Sequence, residues 1–279
     1  MDTKIQTDLR GGRLKNFFLL SFGLIVIYLR CPSKVDYLPA PQNIGIASDY
    51  DGISIKIYWD ADTVNKPDGY IIYFERLPID TIEPYDATCY THEKPSRVGT
   101  YRVTEFKGDV ESASSNEVNN LPVLQEALPV REINSGNPNG FGWTRDSGKA
   151  TSHPMTDSSN ITRVDFYITN FRRDTTSLPY HIASPNMTLT DSSIIWPLTG
   201  TMHTNGYTGP LDFGLENADT VPDHGYLSYR QIEKGKVYCT YTQDGFFALV
   251  HIVDLNPVSG KVEAQTLFQP VRNLRLFKK

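Results

Sequence analysis

Cysteine is scarce in this chain: three in 279 residues, at positions 31, 89 and 239. So few thiols exclude a disulfide-stapled scaffold, and none lies at the two-residue spacing of zinc ribbons or dithiol redox motifs. Long runs of Leu, Ala, Glu and Lys are missing too, which argues against a helical bundle. Positive charge is thin. The net charge is −5, and the first thirty residues hold five basic and two acidic side chains, a local +3 that leaves −8 for the rest. No basic stripe is present to collect phosphates, so nucleic acid is not an expected partner. Catalytic fingerprints are absent: no Gly-x-Ser-x-Gly elbow, no phosphate or dinucleotide glycine loop, no His-Glu-x-x-His. Acid pairs such as Asp212 with Glu216 and Asp219 with Asp223 belong to a chain with 32 acidic residues and read as a solvated face. The sequence therefore leads us to expect no enzyme, no catalytic residue, no metal site and no cofactor.

What is present favours β structure. Sixteen Tyr and thirteen Phe supply β-formers, while eighteen Pro and twenty Gly supply turns. With 39% hydrophobic and 21% charged residues the chain can bury a core, and its length is that of two domains. The expected architecture is all-β. It comprises a signal or anchor segment with tether (1–39), a β-sandwich (40–119), a linker (120–127) and a second antiparallel β domain (128–279).

Residues Phe17 to Leu29 form a nearly unbroken apolar run behind Arg13 and Lys15. This is a charged region followed by a hydrophobic one shorter than the ~20 residues needed to span a bilayer, as in an export signal. Cys31 follows directly, then the polar, Pro-containing stretch to Pro41. The arrangement resembles a bacterial lipoprotein signal, which implies lipidation at Cys31, membrane attachment through the N-terminal segment and a cell-envelope or extracellular location. Arg30 stands where that signal carries a small residue, so an uncleaved anchor is the alternative. Cys89 and Cys239 could pair or remain separate buried thiols.

From residue 44 side chains alternate. Ile53, Ile55, Ile57 and Trp59 share one face, with Ser54, Lys56, Tyr58 and Asp60 on the other, after an Asp51-Gly52 hairpin turn. Tyr70–Phe74 and Tyr101–Val103 read as further strands, and a Ser-rich hairpin runs from Glu111 to Asn116. The order Pro41-x-Asn43-Ile44, Ile57-x-Trp59, Gly69-Tyr70-x-Ile72-Tyr73, Tyr101-x-Val103, then Glu111-Ser112 to Ser115-Asn116 resembles the fibronectin type III repeat over about eighty residues. That resemblance implies a two-sheet sandwich with Trp59 in its core, Tyr101 forming a corner bond to the backbone, and a spacer or recognition role. The polar stretch Arg76–Gly99 fits the pattern least.

Beyond Pro129, Val164, Phe166 and Ile168 alternate with Arg163, Asp165, Tyr167 and Thr169. Four runs, Tyr226–Ile232, Lys236–Thr242, Phe246–Asp254 and Lys261–Phe268, are joined by short Gly turns and read as an antiparallel meander with the third run central. The meander resembles closing hairpins of all-β domains in bacterial surface lipoproteins, some of which bind haem. If that applied, ligands would come from His153, His181, His203 and His224, or Met155, Met187 and Met202. Trp143, Trp196 and Tyr207 lie in turn-rich segments, where exposed rings could stack on sugars or anchor a protein. The expected role is a non-enzymatic adhesion, scaffold or binding module with a protein or glycan partner. Surface capture of haem or glycan, and an accessory domain of a glycan-degrading system, are the alternatives.

Overall fold

Strands dominate the computed structural model, which describes residues 37–194 and 202–279. Among these residues no α-helix occurs, only short 3-10 turns, so the chain is all-β as expected. The apolar run and Cys31 lie outside the described residues, as does Trp196. No helix among the described residues is long and apolar enough to cross a membrane.

The first sandwich uses β1 (Gly45–Ser48), β2 (Ile55–Tyr58), β3 (Gly69–Phe74), β4 (Leu77–Ile82), β5 (Cys89–His92), β6 (Thr100–Lys107), β7 (Val110–Glu111) and β8 (Val118–Asn119). One sheet has the order β1-β2-β5, the other β4-β3-β6-β7, with β8 also on β6. The period-two pattern is realised: Ile55 and Ile57 are buried, Lys56 and Tyr58 exposed. Asp51 sets the preceding turn, its Oδ1 accepting the amides of Ile53 and Ser54 at 2.8 and 2.7 Å. The polar stretch after Arg76 supplies β4 and β5. β4 is a solvated edge strand, which needs few apolar residues and so leaves little trace in the sequence. Serines replace backbone partners on β6, where Glu105 N donates to Ser112 Oγ and Val103 N to Ser115 Oγ.

Trp59 and Tyr101 are both buried. The corner bond expected of Tyr101 is not formed, because β5 brings a side chain to its hydroxyl: Tyr101 Oη and His92 Nδ1 are hydrogen-bonded at 3.0 Å. Burial holds the His92 pKa below its usual value, which keeps the ring neutral for this contact. Tyr70 makes the backbone contacts instead, its Oη accepting from Asp62 N and donating to Tyr85 O.

The second sandwich uses β9 (Val123–Arg131), β10 (Gly140–Trp143), β11 (Ala150–His153), β12 (Phe166–Thr169), β13 (His181–Ala183), β14 (Gly206–Leu211), β15 (Tyr229–Gln231), β16 (Val237–Tyr241), β17 (Phe247–Asn256) and β18 (Lys261–Phe268). Its sheets have the orders β14-β16-β17-β18-β9 and β11-β10-β12-β13-β15. β9 begins inside the stretch read as linker and pairs along β18. β17 is central and buried on both faces at its start, as its sequence indicates.

The expected four-run meander is corrected to three. β15, from the run Tyr226–Ile232, pairs with β13 in the facing sheet. The transfer occurs at Leu227, whose N–H and C=O pair with Tyr207 and hand the chain across the sandwich edge. β12 also differs from the half-buried strand its alternation suggests. All four of its residues are buried, because Met155, Val164, Met187, Ile194 and Met202 cover its outer side. Cys89 is exposed and Cys239 buried, and both are free thiols.

Residues Tyr37–Lys279 form one compact unit. The C-terminal tail explains this. Val271, Leu274 and Leu276 complete the core around Trp59 and Tyr101, while Phe277 packs against Cys239 and Leu249 of the second sandwich. Backbone bonds fasten both sides: Arg275 N to Gly52 O and Asn273 N to Gly245 O, each 2.7 Å. Leu274→Ala should therefore cost about 2–4 kcal/mol, the usual cavity cost in a core. It should lower one shared unfolding midpoint, read through Trp59 or Trp143 with the other tryptophans changed to Phe. A Trp143 midpoint that does not move would contradict the shared role of the tail.

Candidate functional site

Asp165, one residue before β12, is fully buried. An isolated carboxylate in such a place is strongly unfavourable and must be paired and hydrogen-bonded. Arg145, two residues past β10, pairs with it through a two-pronged contact, Nη1 to Oδ2 and Nη2 to Oδ1, both 2.8 Å. Trp143 N donates to Oδ2 at 2.9 Å, and Asn205 Nδ2 lies 3.2 Å from Oδ1. His203 Nδ1 stands 2.9 Å from Oδ1. An ionised carboxylate only accepts, so Nδ1 bears the proton. Burial alone would raise the Asp165 pKa; the bonds from Arg145 and His203 outweigh it and hold the carboxyl below its usual range.

The network reaches further. Arg145 Nε donates to Asp244 Oδ2 at 2.6 Å, in the turn between β16 and β17, and Nη1 donates to Trp143 O. Asn205 Oδ1 accepts from Gln243 N, and the Asp165 carbonyl accepts from Tyr207 Oη at 2.6 Å. One buried charge thus ties together four chain segments from both sheets. Glycine permits the closest approach: a Cβ at Gly142 would lie 1.8 Å from the Arg163 carbonyl oxygen.

Above this hub opens a cleft of about 550 Å³, within the size range of small-ligand sites. Its floor is the backbone of Gly142 and Trp143 with Arg145, His203 and Asp244; its walls carry Thr144, Thr151, Thr162, His153 and Arg163. Asp244 Oδ1 is shielded from solvent and has no hydrogen-bond partner among the described residues. Burial, and next the charge of Arg163, lower the His153 pKa, so that ring is neutral near pH 7. A second cavity lies in the first sandwich beside Asp60, Asp62 and Glu105. There burial, and then Asp62, push the Glu105 carboxyl up to about 7.

The ring expectations need correction. Trp143 is buried among Phe141, Phe166 and Phe268, with Nε1 donating to Thr266 Oγ1 at 3.1 Å. It lines the cleft but is buried, so its ring offers no exposed stacking face. Tyr207 is fully buried and serves the hub through its hydroxyl. In both cases the ring is large enough to be taken into the sandwich core despite its turn-rich neighbourhood. Of the histidines considered for haem, His153 and His203 share the cleft. His181 packs with Phe171 and Tyr229, and the exposed His224 bonds its neighbour Asp223. Met155, Met187 and Met202 lie in the apolar cluster over β12. Among the described residues no group of three or more His, Cys, Asp or Glu side chains is placed to hold a metal ion.

No family model matches the chain, and no curated protein does. Among solved structures the chain is similar to a DUF4466 family protein from Parabacteroides merdae, at 10% sequence identity and a TM-score of 0.42. The match covers 83% of this chain and 99% of that one.

Arg145→Met should cost about 3–5 kcal/mol at neutral pH, because it strands the Asp165 charge. In the wild type, a carboxyl with a lowered folded pKa adds stability above its unfolded pKa and loses it on acidification. In the variant the stranded carboxyl would have a raised pKa, so its deficit should shrink as the solution is acidified and Asp165 takes up a proton. Urea midpoints at about pH 8 and about pH 5 check this sign; a deficit independent of pH would count against it.

Proposed function

We propose that this chain is a non-enzymatic binding protein of the bacterial cell envelope, attached through its N-terminal segment, whose second sandwich binds a surface glycan in the Asp165 cleft. Residues 40–119 are read as a fibronectin type III-like spacer. In support are its two antiparallel sheets, one of three strands and one of five, and the Trp59 core. The tail that shares both cores would hold the cleft at a fixed orientation to this spacer.

The observation that carries the glycan reading is the presence of both donors and acceptors around one cleft. Arg163 and neutral His153 donate, Asp244 accepts, and the threonine hydroxyls do either. Sugar hydroxyls are themselves both donors and acceptors, so such walls suit them. Haem asks for an apolar slot, whereas most side chains lining this cleft are Thr, Arg, His and Asp, which favours a saccharide over haem. The binding reading over a catalytic one rests on Asp165, which is sealed from solvent and saturated by donors instead of being poised to exchange protons.

A glycan array probed with the soluble part of the chain tests this. Binding to at least one glycan is expected. Thr151→Trp, which fills the cleft from the exposed side of β11, should abolish that binding without lowering the melting temperature. An array with no bound glycan, or binding indifferent to the substitution, would remove the reading.

A further inference from the structure

We infer that the saccharide taken by this cleft is acidic, carrying a carboxylate or sulfate that pairs with Arg163; this rests on the glycan reading above. Two guanidinium groups line the cleft, and they differ in one respect. Arg145 is engaged with Asp165, Asp244 and the Trp143 carbonyl. Arg163 is exposed, and among the described residues no carboxylate or carbonyl accepts from its side chain.

Its base is nonetheless fixed. Arg163 N donates to Asn160 O at 2.8 Å, Asn160 Nδ2 donates to Pro154 O at 3.0 Å, and Asp157 caps the turn by accepting from Ser159 N. The Arg163 carbonyl rests against Gly142 so closely that no side chain fits there. The result is a pre-positioned backbone with an unengaged planar fork, the geometry that suits a two-oxygen anion. The carboxylates nearby are held by other groups: Asp165 and Asp244 are both bonded to Arg145, and Asp157, close enough to interact with the Arg163 charge, accepts from Ser159 N.

Sorting the bound members of a glycan array by charge, neutral against uronate-bearing, sialylated and sulfated, gives the first test. Titration calorimetry of the best glycan against the wild type, Arg163→Gln and Arg163→Lys gives the second. Acidic members should dominate. Arg163→Gln should weaken binding by about tenfold or more, as for loss of one charge-assisted contact. Arg163→Lys should fall between, since it keeps the charge and loses the fork. The melting temperature should stay unchanged throughout. If the bound members are neutral, or Arg163→Gln leaves acidic glycans bound as before, the inference fails while the glycan reading stands. If no glycan binds, both fall. Selective binding of uronates over sulfated members, or the reverse, identifies the anion.

Discussion

A carboxylate with no access to water governs the architecture of the second sandwich. Asp165 cannot be accommodated without a matching cation, and Arg145 meets it with a guanidinium whose remaining N–H groups reach Asp244 and the Trp143 carbonyl. Because the bonds to Asp165 are directional and end on a carboxylate that water does not reach, the segments around residues 143, 165 and 203 have one mutual arrangement, to which Arg145 adds Asp244. The cleft is the outer surface of that arrangement. Its shape is inherited from a buried electrostatic requirement, so its polar groups are held still before any ligand arrives.

The two sandwiches depend on each other through a different device. Apolar residues of the C-terminal tail alternate as they would in a strand, yet they pair with no long partner. They lie between the two bodies, with Leu274 and Leu276 in one core and Phe277 in the other. Gln269 strengthens the crossing, its Nε2 donating to the carbonyl oxygens of Asn120 and Leu276. A chain that returns to its first core after completing its second cannot be divided cleanly at a single point.

Much of the fold was legible from local pattern. The alternation at Ile55 and Ile57, the Asp51-Gly52 turn and the apolar run that became the central β17 all follow from side-chain periodicity and turn chemistry. What escaped were features set by distant partners. β4 is solvated, β15 crosses sheets through a single pairing at Leu227, and the hydroxyl of Tyr101 answers to His92 on a neighbouring strand. The site was less legible still. Trp143 and Tyr207 were singled out for their ring faces, which the core absorbs. Arg145, Asp165, His203 and Asp244 are spread over a hundred residues with no fixed spacing. Asp165 occupies a polar position in an alternating strand, where an acid ordinarily faces solvent, and only the covered outer sheet face makes it a buried charge.

Hydrogen–deuterium exchange on Asp165→Asn compared with the wild type tests the central claim most directly. If one charge holds the cleft together, amides of residues 142–145, 203–207 and 242–246 should lose protection together, while β17 and β18 keep theirs. Exchange that changes only beside residue 165 would contradict the account.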